Sequence, residues 1–213
     1  MKTVYFVRHG QSEGNVGPIR QAGTAALTEK GRGQAKIIAE RISKLDAEIL
    51  ISSTMARAKE TAEIIHQKTS LPIEYSDLFV ERRRPSEQLG VAKDDPAALE
   101  SERTIIKNFS IPDFRFSNEE NFGDLKERAR QMLDYLQGRP EEKIVVVTHG
   151  FIMRIVVAYV VFGGSLTARE CERFIQKFHM ENTALTVFGY GNKDKEALQD
   201  WWLWIWNDHA HLG

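Results

Sequence analysis

The 213-residue sequence contains one cysteine, no excess of either charge and no secretory leader of ordinary length. Cys171 is the only cysteine, so no disulfide can form within the chain, and a reducing cytoplasm is the simplest location. Lys and Arg total 29 against 30 Asp and Glu, which disfavours a nucleic-acid or membrane-surface protein because both usually need a basic excess. The apolar run at 4–7 ends at Arg8 and falls short of the roughly 7–15 apolar residues of a signal peptide. Any anion site must therefore be built from a local cluster of positive groups.

One mostly apolar stretch, residues 144–164, is about long enough to span a bilayer. His149 and Arg154 lie in its middle. An arginine at mid-membrane costs roughly 2.5–3.5 kcal/mol even on the lenient insertion scale. We therefore interpret this stretch as a buried strand, a glycine turn and a helix, and expect no association with a membrane.

The hydrophobic pattern predicts strands alternating with helices along most of the chain, without repeats or low-complexity tracts. Such alternation predicts an α/β fold, here a three-layer α/β/α sandwich around a mainly parallel, mixed sheet. We expect one domain over residues 1–213, with an irregular lid or specificity segment at about 82–117, because no linker interrupts the chain. The predicted strands are 4–7, 48–52, 73–75, 143–148, 183–188 and 198–206; the predicted helices are 29–44 (capped by Thr28), 55–69 (capped by Ser53 or Thr54), 97–108, 118–137 and 150–162.

Charged and imidazole side chains follow three of the predicted strands. His9 and His149 each end a strand, and Arg57 opens the helix after another. Each signal is weak alone, since a histidine at a strand end is more often structural and an arginine in a first helical turn usually faces solvent. The carboxyl ends of parallel strands meet at one edge of a sheet, where reactive groups gather. The three segments together therefore predict a site.

The motifs at these positions resemble those of the histidine phosphatase superfamily, the phosphoglycerate-mutase-like proteins. The resemblance runs in order over about residues 3 to 188, and its first motif is highly specific. The matching segments are Val4-Tyr5-Phe6-Val7-Arg8-His9-Gly10-Gln11-Ser12-Glu13-Gly14-Asn15, Leu27-Thr28-Glu29-Lys30-Gly31 with Gln34-Ala35, Ser52-Ser53 with Arg57-Ala58 and Glu60-Thr61, Val146-Val147-Thr148-His149-Gly150, and Asn182-Thr183-Ala184.

The resemblance implies a metal-independent enzyme without a cofactor, in which His9 is the nucleophile and forms a phosphohistidine. A neutral imidazole would attack phosphorus with one ring nitrogen while the other donates to a backbone carbonyl, which we expect to be that of Gly10. Charge stabilisation carries most of the rate in phosphoryl transfer, and guanidinium forks suit phosphoryl oxygens. The implied phosphate-binding set is Arg8, Asn15, Arg57, His149 and Gly150, with Arg8, Arg57 and His149 also counted as catalytic.

The same resemblance makes Glu81 the general acid that protonates the leaving oxygen and later activates water. The residues after it depart from the family pattern of a glycine and an aromatic, so Glu87 is the alternative acid. Glu81 could also simply pair with a neighbouring arginine at the surface. The Arg82–Arg84 run is either a solvated turn or a contact to the remote group of an anionic substrate, in which case Arg82 is the residue expected to make it.

The C-terminal segment combines four tryptophans, at 201, 202, 204 and 206, with Asp208, His209 and His211. These three ligand-type residues are a weak metal signal because they lack a defined scaffold. Capping of the last strand is the favoured interpretation, and an exposed tryptophan patch could instead be the face of a homodimer.

The function predicted from the sequence is hydrolysis of phosphomonoesters of small phosphorylated metabolites. A phosphoglycerate-type phosphomutase is the alternative within the family, disfavoured because the chain lacks the extra insertion and tail that the resemblance associates with mutases. A non-catalytic phospho-ligand binding protein is the alternative of another class, and a di-histidine metal hydrolase is a third. The joint presence of His9, Arg57, Glu81 and His149 argues for turnover.

Overall fold

A single mixed sheet organises the computed structural model, which describes residues 1–21, 23–111, 113–192 and 200–213. Within those ranges, short β-rich runs of mainly apolar residues form six strands. They are β1 (Lys2–Arg8), β2 (Ile49–Ser53), β3 (Ile73–Ser76), β4 (Lys143–Thr148), β5 (Leu185–Gly191) and β6 (Asp200–Asp208).

The strand order is β3-β2-β4-β1-β5-β6. The first four strands in this order are mutually parallel, whereas β5 runs antiparallel to both β1 and β6. Three of the parallel strands, β2, β4 and β1, are therefore adjacent and interior, and their carboxyl ends lie side by side.

Seven α-helices occur in the described residues, and most of them connect the strands. The predicted cap Thr28 is present, since its side chain accepts a hydrogen bond from the Gly31 amide. Asp95, which was not predicted as a cap, caps a helix that starts with Pro96. The helices are α1 (Glu13–Val16), α2 (Glu29–Ile42), α3 (Ala56–Thr69), α4 (Pro96–Asn108), α5 (Phe122–Gln137), α6 (Gly150–Phe162) and α7 (Ala168–Lys177).

The strands bury side chains on both faces, which divides the core into two clusters. Phe6, Ile51 and Val146 pack against α5, α6 and α7 on one face. Val7 and Val145 pack against α2 and α3 on the other. The alternation follows the two-residue period of a strand. The predicted three-layer α/β/α sandwich around a mixed sheet is therefore confirmed.

Local expectations about the helices need four corrections. The cap of α3 is Met55, which makes no side-chain capping bond, so the predicted caps Ser53 and Thr54 are wrong. The Ser53 hydroxyl instead contacts Nε2 of His149, and the Thr54 hydroxyl donates to the Asp77 carboxylate. Helix α5 starts at Phe122, four residues after the predicted 118, because Asn121 and Asp124 form a capping box there. Helices α1 and α7 were not predicted, since α1 is a single turn and α7 follows a glycine pair.

The predicted lid and last strand are only partly irregular. Residues 82–117 contain a 3-10 turn at Ser86–Gln88 and the predicted helix α4, while residue 112 lies outside the described residues. Strand β6 begins at Asp200; positions 198 and 199 of the predicted strand also lie outside them. In the described residues, no helix combines the length and the apolarity needed to cross a bilayer.

Two glycines let the loop after β1 lie directly on the start of α2. A Cβ atom on Gly10 would lie 2.5 Å from the Gly31 carbonyl oxygen, and one on Gly31 would lie 1.9 Å from the Gln11 carbonyl oxygen. Real Cβ contacts are essentially never shorter than 3.0 Å, and backbone cannot yield as a side-chain tip can. The loop that carries His9 is thus fixed against α2 by backbone contact.

We predict that Gly31→Ala lowers the free energy of unfolding by about 1–3 kcal/mol, because the added methyl overpacks the loop. Gly33→Ala is the matched control on the same helix, where nothing lies within 4 Å of the added atom. It should raise stability by about 0.5–1 kcal/mol through its better helix propensity. Urea denaturation of the two variants measures both changes, and a stabilising effect of Gly31→Ala would contradict the close contact.

Candidate active site

Segments far apart in the sequence meet where β1, β2 and β4 end. Arg8 is in register with Thr148, and Ser52 with Val147. The ring centroids of His9 and His149 lie 5.1 Å apart. The Nε atom of Arg57 lies 3.1 Å from Nε2 of His9. The predicted convergence of these three segments is therefore present in the structure.

His9 is 3% exposed and both of its ring nitrogens have a partner. Nδ1 lies 2.7 Å from the Gly10 carbonyl oxygen, the contact expected from the sequence. A carbonyl only accepts, so Nδ1 carries the proton, and Nε2 holds the lone pair that accepts from Arg57. Burial, followed by the charges of His149 and Arg57, lowers the pKa of His9 well below its ordinary 6.5. The imidazole is therefore neutral and in the tautomer whose lone pair is at Nε2.

His149 is completely buried and precedes α6 as its N-cap residue. Its Nε2 lies 2.8 Å from the Ser53 hydroxyl oxygen, and its Nδ1 has no hydrogen-bond partner in the described part of the chain. Burial, and then the charges of Arg57 and Arg8, lower the pKa of His149 well below 6.5. The expected imidazolium is thus not the form of the free protein and would need a bound anion to appear.

Arg8 and Arg57 line two cavities that share Glu81, and neither forms an ion pair with a described carboxylate. One terminal nitrogen of Arg8 donates to the Met180 carbonyl, whereas its buried Nε has no partner among the described residues. A side chain at Gly150 would come within 3.2 Å of that Nε, so glycine keeps the position open. The pKa of both guanidiniums is lowered, and burial is the largest cause of the shift. Buried donors without acceptors are expected where an anion binds.

Glu81 lies at the amino end of α6, where its carboxylate accepts three backbone N–H bonds. The donors are Arg82 at 2.9 Å, Ile152 at 3.0 Å and Phe151 at 3.1 Å. Burial acts to raise the pKa of Glu81, but these bonds and the charge of Arg57 outweigh it and lower the pKa below its usual value. Glu81 is therefore ionised in the free protein.

A buried ion pair holds the chain just before Glu81. Arg128 forms two bonds of 2.8 Å to the Glu120 carboxylate, and both side chains are about one-tenth exposed. The same guanidinium donates to the Val80 carbonyl at 2.6 Å. The Thr148 hydroxyl donates to the Phe79 carbonyl at 2.6 Å. Residues on α5 and β4 thereby fix the segment that presents Glu81.

Two of the residues singled out from the sequence lie away from this centre. The exposed Glu87 carboxylate accepts from the Ser117 hydroxyl at 2.7 Å and lines no cavity with the histidines or Arg8. The Asn15 side-chain oxygen accepts from the amide and hydroxyl of Ser12 in the capping box of α1. The structure therefore places Glu81, and not Glu87, beside the other site residues, and it gives Asn15 local contacts.

Two cavities share Glu81 and Arg82 in their lining. The larger, of about 470 Å³, extends toward Met55 and Arg57. The smaller, of about 280 Å³, extends along the start of α6. The smaller cavity is lined by Arg8, Glu81, Arg82, Arg84, Gly150, Phe151, Arg154, His179 and Met180.

Several lining and supporting residues were given no catalytic role in the sequence analysis. Arg154 is the clearest case, since it interrupts an apolar run four residues after Gly150, a spacing that puts both on one helix face. Phe151 and Arg84 carried no such signal. Ser53 and Thr61, which contacts the Gly10 amide at 3.1 Å, act through hydroxyls that spacing cannot assign.

The C-terminal ligand-type residues are tied to α2. Asp208 pairs with Arg41, and the same guanidinium lies 3.2 Å from Nδ1 of His211. Trp201 and Trp206 pack on the core, while Trp204 on the edge strand is 50% exposed. Across the residues that the structure describes, no three His, Cys, Asp or Glu side chains are grouped to hold a metal ion.

An α/β sandwich that brings two buried histidines and unpaired arginines together at its strand ends has the architecture of a histidine phosphatase. The chain belongs to the histidine phosphatase superfamily (branch 1), whose family model matches residues 4–202. The predicted family, and the phosphatase class with it, are confirmed.

The relatives carry names of two kinds, phosphatase and phosphoglycerate mutase. The chain is 33% identical to a probable phosphatase of Schizosaccharomyces pombe over 73% of this chain and 57% of that protein. It is 30% identical to the uncharacterized phosphatase PhoE of Bacillus subtilis over 100% of this chain and 97% of the relative. Other relatives are named as probable phosphoglycerate mutases. The fold matches Bacillus stearothermophilus YhfR with a TM-score of 0.83 over 100% of both chains at 23% identity.

The depressed pKa values of His9 and His149 predict a pH-dependent stability. Both histidines would take up a proton near pH 6.5 once unfolded but not in the folded state, so unfolding is favoured as the pH falls below 6.5. The free energy of unfolding should then fall by up to about 1.4 kcal/mol per pH unit for each histidine. Urea denaturation between pH 7.5 and 5.5 measures this slope.

His149→Asn should remove about half of the part of the slope that His9 and His149 contribute. His66→Gln removes an exposed imidazole on α3 and is the control that should leave the slope unchanged. Equal slopes in the wild type and His149→Asn would contradict a neutral, buried His149.

Proposed function

We propose that this protein hydrolyses phosphomonoesters of small phosphorylated metabolites through a phosphohistidine at His9. The observation that carries the proposal is the state of the His9 ring. Its proton is held at Nδ1 by Gly10 and its lone pair at Nε2 points at the Arg57 guanidinium. Family membership and the relatives named as phosphatases support the same reaction class.

In the proposed first step, Nε2 of His9 attacks phosphorus and the ester P–O bond breaks. Arg57 donates a hydrogen bond to Nε2 in the free protein. When substrate binds, this hydrogen bond must break and the same N–H must donate to a phosphoryl oxygen instead. The exchange favours reaction, because it frees the lone pair and places a cation on the developing charge. The unpartnered Nε of Arg8 and Nδ1 of His149 offer further donors to those oxygens. Gly150 leaves the approach to Arg8 open. Asn15 would contribute only if its side chain leaves the α1 capping box.

We assign the general acid role to Glu81, which must then be protonated when the leaving oxygen departs. It is ionised in the free protein, so the proton has to be gained with the substrate. A phosphoryl dianion beside a carboxylate raises that carboxylate's pKa, which supplies the needed shift. In the second step water attacks the phosphohistidine, Glu81 accepts its proton, and inorganic phosphate leaves with His9 restored.

A phosphoglycerate-type phosphomutase is the second candidate, and the relatives named as probable phosphoglycerate mutases favour it. Both reactions share the phosphohistidine and differ in whether water or a second hydroxyl accepts the phosphoryl group. A phospho-ligand binding protein without turnover would have no use for a neutral His9 with a free lone pair. We therefore place hydrolysis first.

The setting of the enzyme is part of the same proposal. We infer that residues 1–213 act as one catalytic domain in which residues 82–117 form the specificity segment. A cytoplasmic location is consistent with the single buried cysteine, Cys171. A homodimer, if formed, would use Trp204 and Ile205, which are exposed on the edge strand β6.

The main test is His9→Ala, which should abolish phosphate release and acid-labile phosphorylation of the protein. The loss follows because no other group in the proposed mechanism has a lone pair in line with phosphorus. Phosphate release from a panel of sugar phosphates, phosphoglycerates, nucleotides and phosphopeptides, with trapping of the phosphoenzyme, measures both effects. His66→Ala, on the exposed face of α3, is the control and should remain fully active.

Residual labelling of His9→Ala would assign the nucleophile elsewhere. Incubation of the wild type with 3-phosphoglycerate and a trace of the bisphosphate decides between the two reactions. Isomer exchange without phosphate release would establish the mutase and overturn the hydrolase.

Glu81→Gln should lower kcat on alkyl phosphates by about 10²–10⁴, because the leaving alkoxide then lacks a proton donor. The loss should be much smaller on p-nitrophenyl phosphate, whose leaving group needs little protonation. Glu87→Gln is the matched control and should be neutral on both substrates. Equal losses of Glu81→Gln on the two substrates would exclude Glu81 as the acid.

A further inference from the structure

The 280 Å³ cavity along the start of α6 holds more positive charge than one phosphoryl group can neutralise. Four arginines line it, Arg8, Arg82, Arg84 and Arg154, and Glu81 is its only acidic lining residue among those the structure describes. Arg57 adds a fifth cation beyond Glu81 in the neighbouring cavity. A phosphoryl dianion supplies two negative charges against these five, and Glu81 adds a third only while it is ionised. An excess of about two positive charges therefore remains on the side of the cavity away from Arg57.

The excess lies on arginines that have few partners of their own. Within the described chain, neither Arg82 nor Arg154 forms an ion pair. Arg154 uses Nε and one terminal nitrogen for the backbone carbonyls of Gly150 and Ile175, at 3.1 and 2.6 Å. Its second terminal nitrogen has no recorded acceptor among the described residues. Arg84 shares the Glu102 carboxylate with Arg20, and its bond to Glu102 is the longer one, 3.3 Å against 2.7 Å.

An aromatic ring holds two of these guanidiniums in place. The central carbon of Arg82 lies 4.0 Å from the centroid of the Phe151 ring, and that of Arg154 lies 5.3 Å from it. Cations at such distances are attracted to the ring face. Burial and then the charge of Arg84 lower the pKa of Arg82 to about 10, so Arg82 stays charged at neutral pH. Both cations are thus oriented before any ligand arrives.

We propose that Arg82, Arg84 and Arg154 form a second anion subsite, so that the preferred substrate is a small phosphomonoester whose leaving group carries a carboxylate or a second phosphate. The inference rests on the proposed hydrolase function and adds the class of substrate to it. The order along the cavity fits, because Arg82 directly follows Glu81, the residue assigned to the leaving oxygen. A leaving group whose oxygen contacts Glu81 would extend toward these three arginines.

The cavity also limits the size of that leaving group. A water molecule in the liquid takes up roughly 30 Å³, so 280 Å³ corresponds to roughly nine waters. A short carbon chain with one terminal anion fills such a space, whereas a phosphoprotein segment would have to remain outside. The subsite therefore favours small phosphomonoesters that carry a second anionic group over phosphopeptides.

Three substrates with the same carbon skeleton test the proposal: glycerol 3-phosphate, 3-phosphoglycerate and glycerol 1,3-bisphosphate. The first has a neutral leaving group, the second adds a carboxylate and the third adds a phosphate. We expect kcat/KM to be roughly 10- to 100-fold higher for at least one of the two charged leaving groups, as one or two charge-assisted hydrogen bonds would give. Whichever is preferred identifies the anion.

The variants Arg84→Gln and Arg154→Gln should each lower that preference about tenfold, with a much smaller effect on glycerol 3-phosphate. Arg103→Gln is the matched control, an arginine of α4 whose side chain is 72% exposed and which pairs with Glu100. Arg154 also anchors backbone carbonyls, so its variant could fail to fold. Because Arg84 is partly exposed, Arg84→Gln should fold and still test the subsite in that case.

Equal kcat/KM for the three substrates, or a preference unchanged in Arg84→Gln, would overturn the subsite. Turnover of p-nitrophenyl phosphate with a trapped phosphohistidine separates the two claims. If that turnover persists while the three substrates are equivalent, the subsite is wrong and the proposed hydrolase stands. If no phosphomonoester is hydrolysed, the proposed function fails and the subsite fails with it.

Discussion

Positive charge without local compensation, gathered at the carboxyl edge of the sheet, is the constraint on which the rest of this structure depends. Arg8, Arg57 and Arg82 form no ion pair with any described carboxylate. Two buried imidazoles lie among them and therefore stay neutral. Assembling such charges costs free energy that the apolar core must offset. The cost is tolerable at a site whose ligand brings the missing negative charge.

Strand pairing, backbone contacts and an ion pair hold the site residues in place against the repulsion between these charges. β4 lies between β1 and β2, so the two histidines and the Arg57 segment are fixed by strand pairing on both sides. The contact between Gly10 and Gly31 locks the His9 loop onto α2. The Arg128–Glu120 pair fixes the carbonyl that precedes Glu81. Each site residue is therefore held through backbone, and the side chains keep their free donors for the ligand.

The main architecture and the centre of the site could be predicted because both depend on local patterns. Continuous apolar runs mark buried parallel strands, and the placement of His9, Arg57 and His149 after such runs puts them on one edge. The bounds of β4 and α6 agree with prediction because a charged residue and glycines delimit them.

Features that depend on tertiary contacts were beyond prediction. The sequence marks Ser53 as a cap, yet its hydroxyl contacts His149, a residue 96 positions away. The protonation states of Glu81 and His149 follow from burial and from backbone N–H groups that no spacing rule locates. Arg154 stood out as a charge in an apolar run, but only the cavity reveals that it faces the same space as Arg8.

The position of the site within the sheet has a consequence for how the protein can change. All three strands that present it are interior, whereas the two margins, β3 and β6, carry none of the site residues described above. Insertions, new contacts or altered sequence at either margin can accumulate with little disturbance of the reacting atoms. The Trp-rich β6 thus provides a place where a lineage could acquire new associations while its chemistry remains the same.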